Sequence, residues 1–231
     1  MYRPALSRLV FRVVGLLVIP ILALATACGA PEEAKPRPLP EDRQALRPGT
    51  YRSEEFKPSL SFHVGKGWSS SPFLEEASDA LQITRGQTAG LGFANVQEVY
   101  KPTRTVSQIV DAPKDMVGWF QQHPYLQTSK PEPVTVGGVK GLQFDVVVGD
   151  RPQYYIPTCT SIVGNPNCVD LFRLSTGEPI LLVEGDKAGI IVLEDVEGET
   201  VTIGFVSPAS EFGEHAPEAQ KVLESVEWRG S

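Results

Sequence analysis

The sequence predicts an α+β fold, with helices packed on an antiparallel sheet, over residues 50–231. Three observations predict it. Apolar and polar residues alternate in several stretches between Leu60 and Val206. A glycine pair, Gly137-Gly138, separates two of those stretches. Two segments, near 112–122 and 210–226, instead repeat their apolar residues at helical spacing.

The chain starts differently. Met1 to Arg12 holds Arg3, Arg8 and Arg12 and no acid. Val13–Ala27, "VVGLLVIPILALATA", is nearly all apolar, and Ala25-Thr26-Ala27 fits an A-x-A cleavage site. Basic residues, a short apolar run and small residues in that order read as a secretory signal peptide over 1–27. A spanning helix needs about 20 apolar residues, and Pro20 interrupts this run. Residues 28–49 carry Pro31, Pro36, Pro38, Pro40 and Pro48 and little to bury, which predicts an extended tether.

In the domain, Leu60, Phe62 and Val64 alternate with Ser61 and His63, a half-buried strand. "GKGW" turns the chain, Trp68 returns to the core, and "WSSSP" reads as a further turn. Leu81 and Ile83 mark a second strand, and residues 91–100 a third. A helix near 112–122 takes Asp111 as cap and Pro113 in its first turn, with Met116, Val117 and Phe120 on one face. Pro124 stops it. "EPVTVGGVKGLQFDVVVG" is a hairpin around Gly137-Gly138. Residues 150–179 read as a long loop. Strands at 188–194 and 200–206 meet at Gly198, and a last helix puts Phe212, Ala219, Val222, Leu223 and Val226 on one face before Trp228.

Cys28 follows the apolar run directly, and "LATAC" resembles the lipobox of bacterial lipoproteins. Ala25 stands where the commonest lipobox has Leu, and Leu24 lies one place further back. The resemblance implies a lipid on Cys28 and a membrane anchor. A diacylglyceryl group supplies the two chains that stable anchoring needs; plain secretion or an uncleaved anchor are the alternatives. The chain has three cysteines. Cys159 and Cys168 can pair around "CTSIVGNPNC", leaving Cys28 for the lipid; two reduced, buried thiols are the other reading.

"LSFHVGKGW", "VTVGGVKGLQFDVVV" and "TVTIGFVSPASEFGEHAPEAQKVLESVEW" together resemble the PsbP-like α/β/α sandwich. That fold includes the extrinsic photosystem II subunit and the LpqN type of mycobacterial lipoprotein. The Cys159–Cys168 insert departs from its common pattern. The resemblance implies a mostly non-enzymatic domain that binds protein partners, with no catalytic set to carry over.

The formal charge is −7, with 13 acids against four bases in residues 170–231. Nucleic acid needs clustered Lys and Arg, so it is excluded as a partner. His63, His123 and His215 lie far apart and in no metal-ligand spacing. There is no GxSxG motif. "GGVKG" lacks phosphate-loop spacing, and "DVEGE" fails the calcium-loop pattern. No catalytic, metal or cofactor residues are therefore assigned. The expected role is non-catalytic binding of an envelope protein or small ligand outside the cytoplasm. Tyr154, Tyr155, Leu171 and Phe172 are the candidate surface, since a long stapled loop with aromatics favours an interface, with the acidic C-terminal hairpin as the other route; the alternative is that these side chains cover one end of the core. A hydrolase or metal-dependent enzyme assembled only on folding, or a structural envelope component, are the alternatives. A deep pocket with two or more titratable groups would mark the enzyme.

Overall fold

The computed structural model describes residues 35–40, 42–71, 76–103, 108–152, 155, 157 and 167–229. They belong to one compact unit, Ala34–Ser231. Its centre is an eight-stranded antiparallel sheet. In spatial order this runs β10 (Glu132–Val136), β11 (Val139–Val148), β14 (Asp186–Val196), β15 (Glu199–Pro208), β6 (Ala89–Asn95), β5 (Ala80–Arg85) and β4 (Trp68–Ser70). β9 (Leu126–Thr128) lies against β11.

Alternation along the strands sends side chains to two cores. Leu91, Phe93, Ile191, Leu193, Val201, Ile203 and Phe205 join the first core, with Phe62 and Trp68. That face is covered by helix α2 (Phe212–Leu223) and by the sheet β1 (Arg37–Pro38), β2 (Gly49–Arg52), β3 (Leu60–Val64) and β16 (Glu227–Trp228). Ala94, Phe144, Val146, Ala188, Ile190 and Val192 join the second core. That face carries helix α1 (Met116–Gln122) and the sheet β13 (Pro179–Val183), β12 (Cys168–Arg173), β7 (Glu98–Lys101) and β8 (Gln108–Asp111). The fold is therefore α+β, an antiparallel sheet with helices packed on it.

Two tight turns join hairpin strands, and a bulge beside the second, between Leu193 and Val196, shifts its ladder by one residue. Gly137 and Gly138 have φ of 56° and 81° and leave Val136 opposite Val139. Positive φ at both central residues is the twist-matched hairpin turn. Gly137 also leaves room for the Trp228 indole, whose Nε1–H donates to the Val136 carbonyl at 3.0 Å. Glu197 and Gly198 repeat the geometry, with φ of 56° and 92°, between β14 and β15. Asp195 accepts the Gly198 N–H at 3.0 Å, so this acidic stretch serves as a hairpin turn.

Several expectations are corrected. The tether expected over 28–49 is folded in its second half, so the domain does not start at residue 50. Arg37 donates to the carbonyls of Arg47 and Pro48, both at 3.0 Å, and its guanidinium lies 4.5 Å from the Tyr51 ring centre. Leu46 is buried, and its N–H donates to the Trp68 carbonyl at 2.8 Å. "WSS" is a strand, because Trp68 and Ser70 pair with Arg85 and Ile83. The strand expected over 91–100 is two strands, β6 and β7, in different sheets. The α1 cap is Asp115, which accepts the Gly118 N–H at 2.7 Å; Asp111 is taken by β8, opposite Glu98. The loop expected to 179 ends by Cys168, where β12 starts. The signal segment, Cys28 and residues 28–34 lie outside the described residues, as do Tyr154 and Cys159.

Gly189 stands opposite Phe205, and a methyl group there would collide with the Phe205 ring. That ring is stacked on Phe212 of α2, with centres 5.7 Å apart, so it cannot simply swing aside. Gly189→Ala is expected to cost about 1–3 kcal/mol, read as a lower urea midpoint at unchanged m.

Candidate functional site

The candidate site is a cleft of about 580 Å³ between the second face of the central sheet and the β12–β13 sheet. Its floor is built from small residues: Gly90, Gly92 and Ala94 on β6, Gly204 on β15 and Ala188 on β14. Gly92 stands directly opposite Gly204. Neither has positive φ, so their backbones are ordinary strand. A methyl group on Gly204 would meet nothing nearer than Ile190 Cδ1 at 3.6 Å. The glycines leave space rather than relieve backbone strain. Leu171, Ile180 and Leu182 of β12 and β13 line the other side.

Three polar side chains, Gln82, Thr202 and Glu178, break the apolar lining, and Gln82 already accepts the Ser71 hydroxyl at 2.7 Å. Thr202 is 2% exposed, lies on the cleft face of β15 and its hydroxyl has no hydrogen-bond partner among the described residues. An unpaired buried hydroxyl costs about 1–3 kcal/mol. Glu178, which is exposed, is the single ionisable group among the described lining residues.

The sequence-derived candidates divide. Leu171 and Phe172 line the cleft, but both are buried strand residues, not part of an exposed loop surface. Tyr155 is buried too: its hydroxyl accepts the Asp170 N–H at 3.2 Å and its ring lies 5.1 Å from Tyr125. These three are buried in the second core, the alternative that the sequence left open. Gly90, Gly92, Thr202 and Gly204 were not singled out by the sequence. Their signal is two alternating strands that carry Gly, Ala or Thr where the core face of a strand usually carries Val or Leu.

The histidines are structural. His63 is exposed on β3. His215 is buried, with Nε2 3.1 Å from the Gly90 carbonyl. His123 caps α1 at its C-terminus, is buried and accepts the Tyr125 N–H through Nδ1 at 3.3 Å. Its ring lies 5.1 Å from Trp119 and 5.8 Å from Tyr125. Among the described residues no three His, Cys, Asp or Glu side chains stand together as a metal site. A second cleft of about 560 Å³ carries Arg52, Glu54, Lys57, Glu197, Glu199 and Arg229. All six are exposed, and Arg52 pairs with Glu54 at 2.6 Å. It has titratable groups, but they are solvated and belong to an open surface.

Burial pushes the His123 pKa down to about 4 and lowers that of His215 in the same direction. The unfolded chain therefore binds more protons than the folded one below the ordinary histidine range. Stability is full above about pH 6.5 and is lost as the pH falls through about 4. Acidification should cost roughly 2–3 kcal/mol through His123. His123→Asn, which keeps an acceptor for the Tyr125 N–H, should flatten that slope in urea titrations from pH 7.5 to 4.5.

No family model and no curated protein matches the chain. Among solved structures it is similar to LpqN, involved in cell envelope biogenesis of Mycobacterium tuberculosis. Identity is 12% and the TM-score 0.34, over 80% of this chain and 90% of that one. It is also similar to the cyanobacterial PsbP (CyanoP) from Synechocystis sp. PCC 6803. There identity is 13% and the TM-score 0.36, over 80% of this chain and 95% of that one.

Proposed function

We propose that this is an exported binding protein, anchored at the cell envelope by a lipid on Cys28, whose domain holds an apolar small molecule without transforming it. The cleft carries this reading. Its volume of about 580 Å³ lies within the roughly 300–1,000 Å³ usual for ligand pockets. Its floor is left unfilled by the chain's own side chains. Acid–base chemistry needs a positioned pair of proton-transfer groups, and the described lining offers one exposed carboxylate. The basic, apolar and small residues of 1–27 and the "LATAC" stretch support export and lipidation. We further propose that Cys159 is the partner of Cys168, which is disulfide-bonded and fully buried. That would staple the segment entering β12 and leave Cys28 for the lipid.

A neutral fluorescent probe of apolar sites, N-phenyl-1-naphthylamine, tests the cleft. It should bind the folded domain with blue-shifted emission. Gly204→Leu, which fills the floor, should reduce its affinity at least tenfold. Amide NMR shifts on β6 and β15 of the unmodified domain should mark the same place. Probe binding that ignores Gly204→Leu and shifts other strands would refute the site.

A second reading, a protein partner, is favoured by β8. It is one of the two edge strands of its sheet among the described residues. Ile109 and Val110 on it are 41% and 40% exposed. An unpaired edge can accept a strand from another chain. If it does, Ile109→Lys should abolish crosslinking to an envelope protein and leave probe binding intact.

A further inference from the structure

The cleft's lining defines what kind of molecule it takes, granted the proposal above that it binds one. We infer that the ligand is an uncharged, flat ring lipid bearing an oxygen that hydrogen-bonds to Thr202. Three observations lead there.

The first is shape. Gly92 and Gly204 face each other across β6 and β15, with Gly90 and Ala94 beside them on the same face. A floor without side chains is the pleated backbone itself. A ring can lie on such a surface at van der Waals distance, whereas branched side chains would hold it off. The opposite side, Leu171, Ile180 and Leu182, is aliphatic and closes on the other face of the ring.

The second is the hydroxyl of Thr202. Thr202 is two residues from Gly204 on the same face of β15 and lines the cleft. It is 2% exposed, and its Oγ1 has no hydrogen-bond partner among the described residues. Buried polar groups are almost always paired, so this enclosed hydroxyl, turning about its χ1 toward the cleft, would meet a group that arrives with the ligand. A hydroxyl can donate to a carbonyl or exchange hydrogen bonds with another hydroxyl. Valine would fill the same space, and the polar choice costs stability unless something answers it.

The third is charge. No Lys, Arg or His is among the described lining residues, and the one ionisable group there is the Glu178 carboxylate. A fatty-acid carboxylate or a phosphate would enter without a counter-charge and past a like charge. Desolvating an unpaired anion is strongly unfavourable. The oxygen at Thr202 therefore belongs to a neutral group, a ring carbonyl or ring hydroxyl. Quinones and sterol-like lipids both carry one.

The test is displacement of N-phenyl-1-naphthylamine from the folded domain by four competitors. These are 2,3-dimethyl-1,4-naphthoquinone, its oxygen-free counterpart 2,3-dimethylnaphthalene, cholesterol and palmitate. The quinone or the sterol should displace the probe, and whichever does so identifies the source of the ring oxygen. The hydrocarbon should compete roughly five- to tenfold more weakly than the quinone, the worth of one hydrogen bond. Thr202→Val should erase that ratio, and a urea midpoint no lower than that of the unmodified domain should show that the variant is folded. Palmitate should fail to compete. Competition by palmitate as strong as by the ring compounds, or a quinone-to-hydrocarbon ratio untouched by Thr202→Val, overturns the inference while the cleft still stands as a binding site. Failure of the probe itself to bind removes both.

Discussion

Strands β14 and β15 pair from Asp186 opposite Pro208 to Leu193 opposite Val201, and each successive residue on them belongs to a different layer. Ile191 and Leu193 face Ile203 and Val201 in the first core, while Ala188, Ile190 and Val192 stand opposite Val206, Gly204 and Thr202 on the other face. The side-chain period of a strand is two, so a slip of one residue would exchange the faces. Phe205 would then fill the cleft floor, and Gly204 would leave a hole beneath α2. The turn at Glu197-Gly198 and the bulge between Leu193 and Val196 together set the register, and with it both the core and the cleft.

The two faces are filled differently. The first carries Phe62, Phe93, Trp68 and Phe205 and is closed by α2 and its small sheet. The second is closed by Phe120, Phe144 and Tyr125 at one end, beneath α1, and by glycine and alanine at the other. Atoms lining a gap lose the dispersion contacts that a filled core would supply. A molecule that enters regains them and also answers the Thr202 hydroxyl. The proposed binding would thus follow from where the described residues leave their packing incomplete, and it would need no reactive group. An anchor at Cys28 would keep such a carrier at a membrane, where apolar molecules are found.

Much of the fold was legible in the sequence. Alternation at Leu60–Val64, at Leu142–Val148 and through Ile190–Phe205 reports burial on one face, and Gly137-Gly138 has one cheap conformation. What failed did so for physical reasons. The Pro-rich stretch was read as tether because composition reports little to bury, yet one cation, Arg37, holds two carbonyls and a ring and draws the segment in. Asp111 and Asp115 both suit a helix cap, and strand pairing with Glu98 decided between them. Leu171 and Phe172 looked like exposed anchors because nothing in the sequence showed β12 lying over the sheet. The cleft was the hardest to see, since it is made by missing side chains. Glycine in a strand reads as weakness until its neighbour across the ladder proves to be glycine too.

The central claim is that this domain carries an apolar molecule. A native mass spectrum of the protein extracted from its own membranes tests it directly. The expected spectrum shows a chain beginning at Cys28, heavier by a diacylglyceryl group, together with one discrete, neutral, non-covalent adduct that Gly204→Leu removes. A bare chain, with no adduct in the unmodified protein under conditions that keep it folded, would contradict the account.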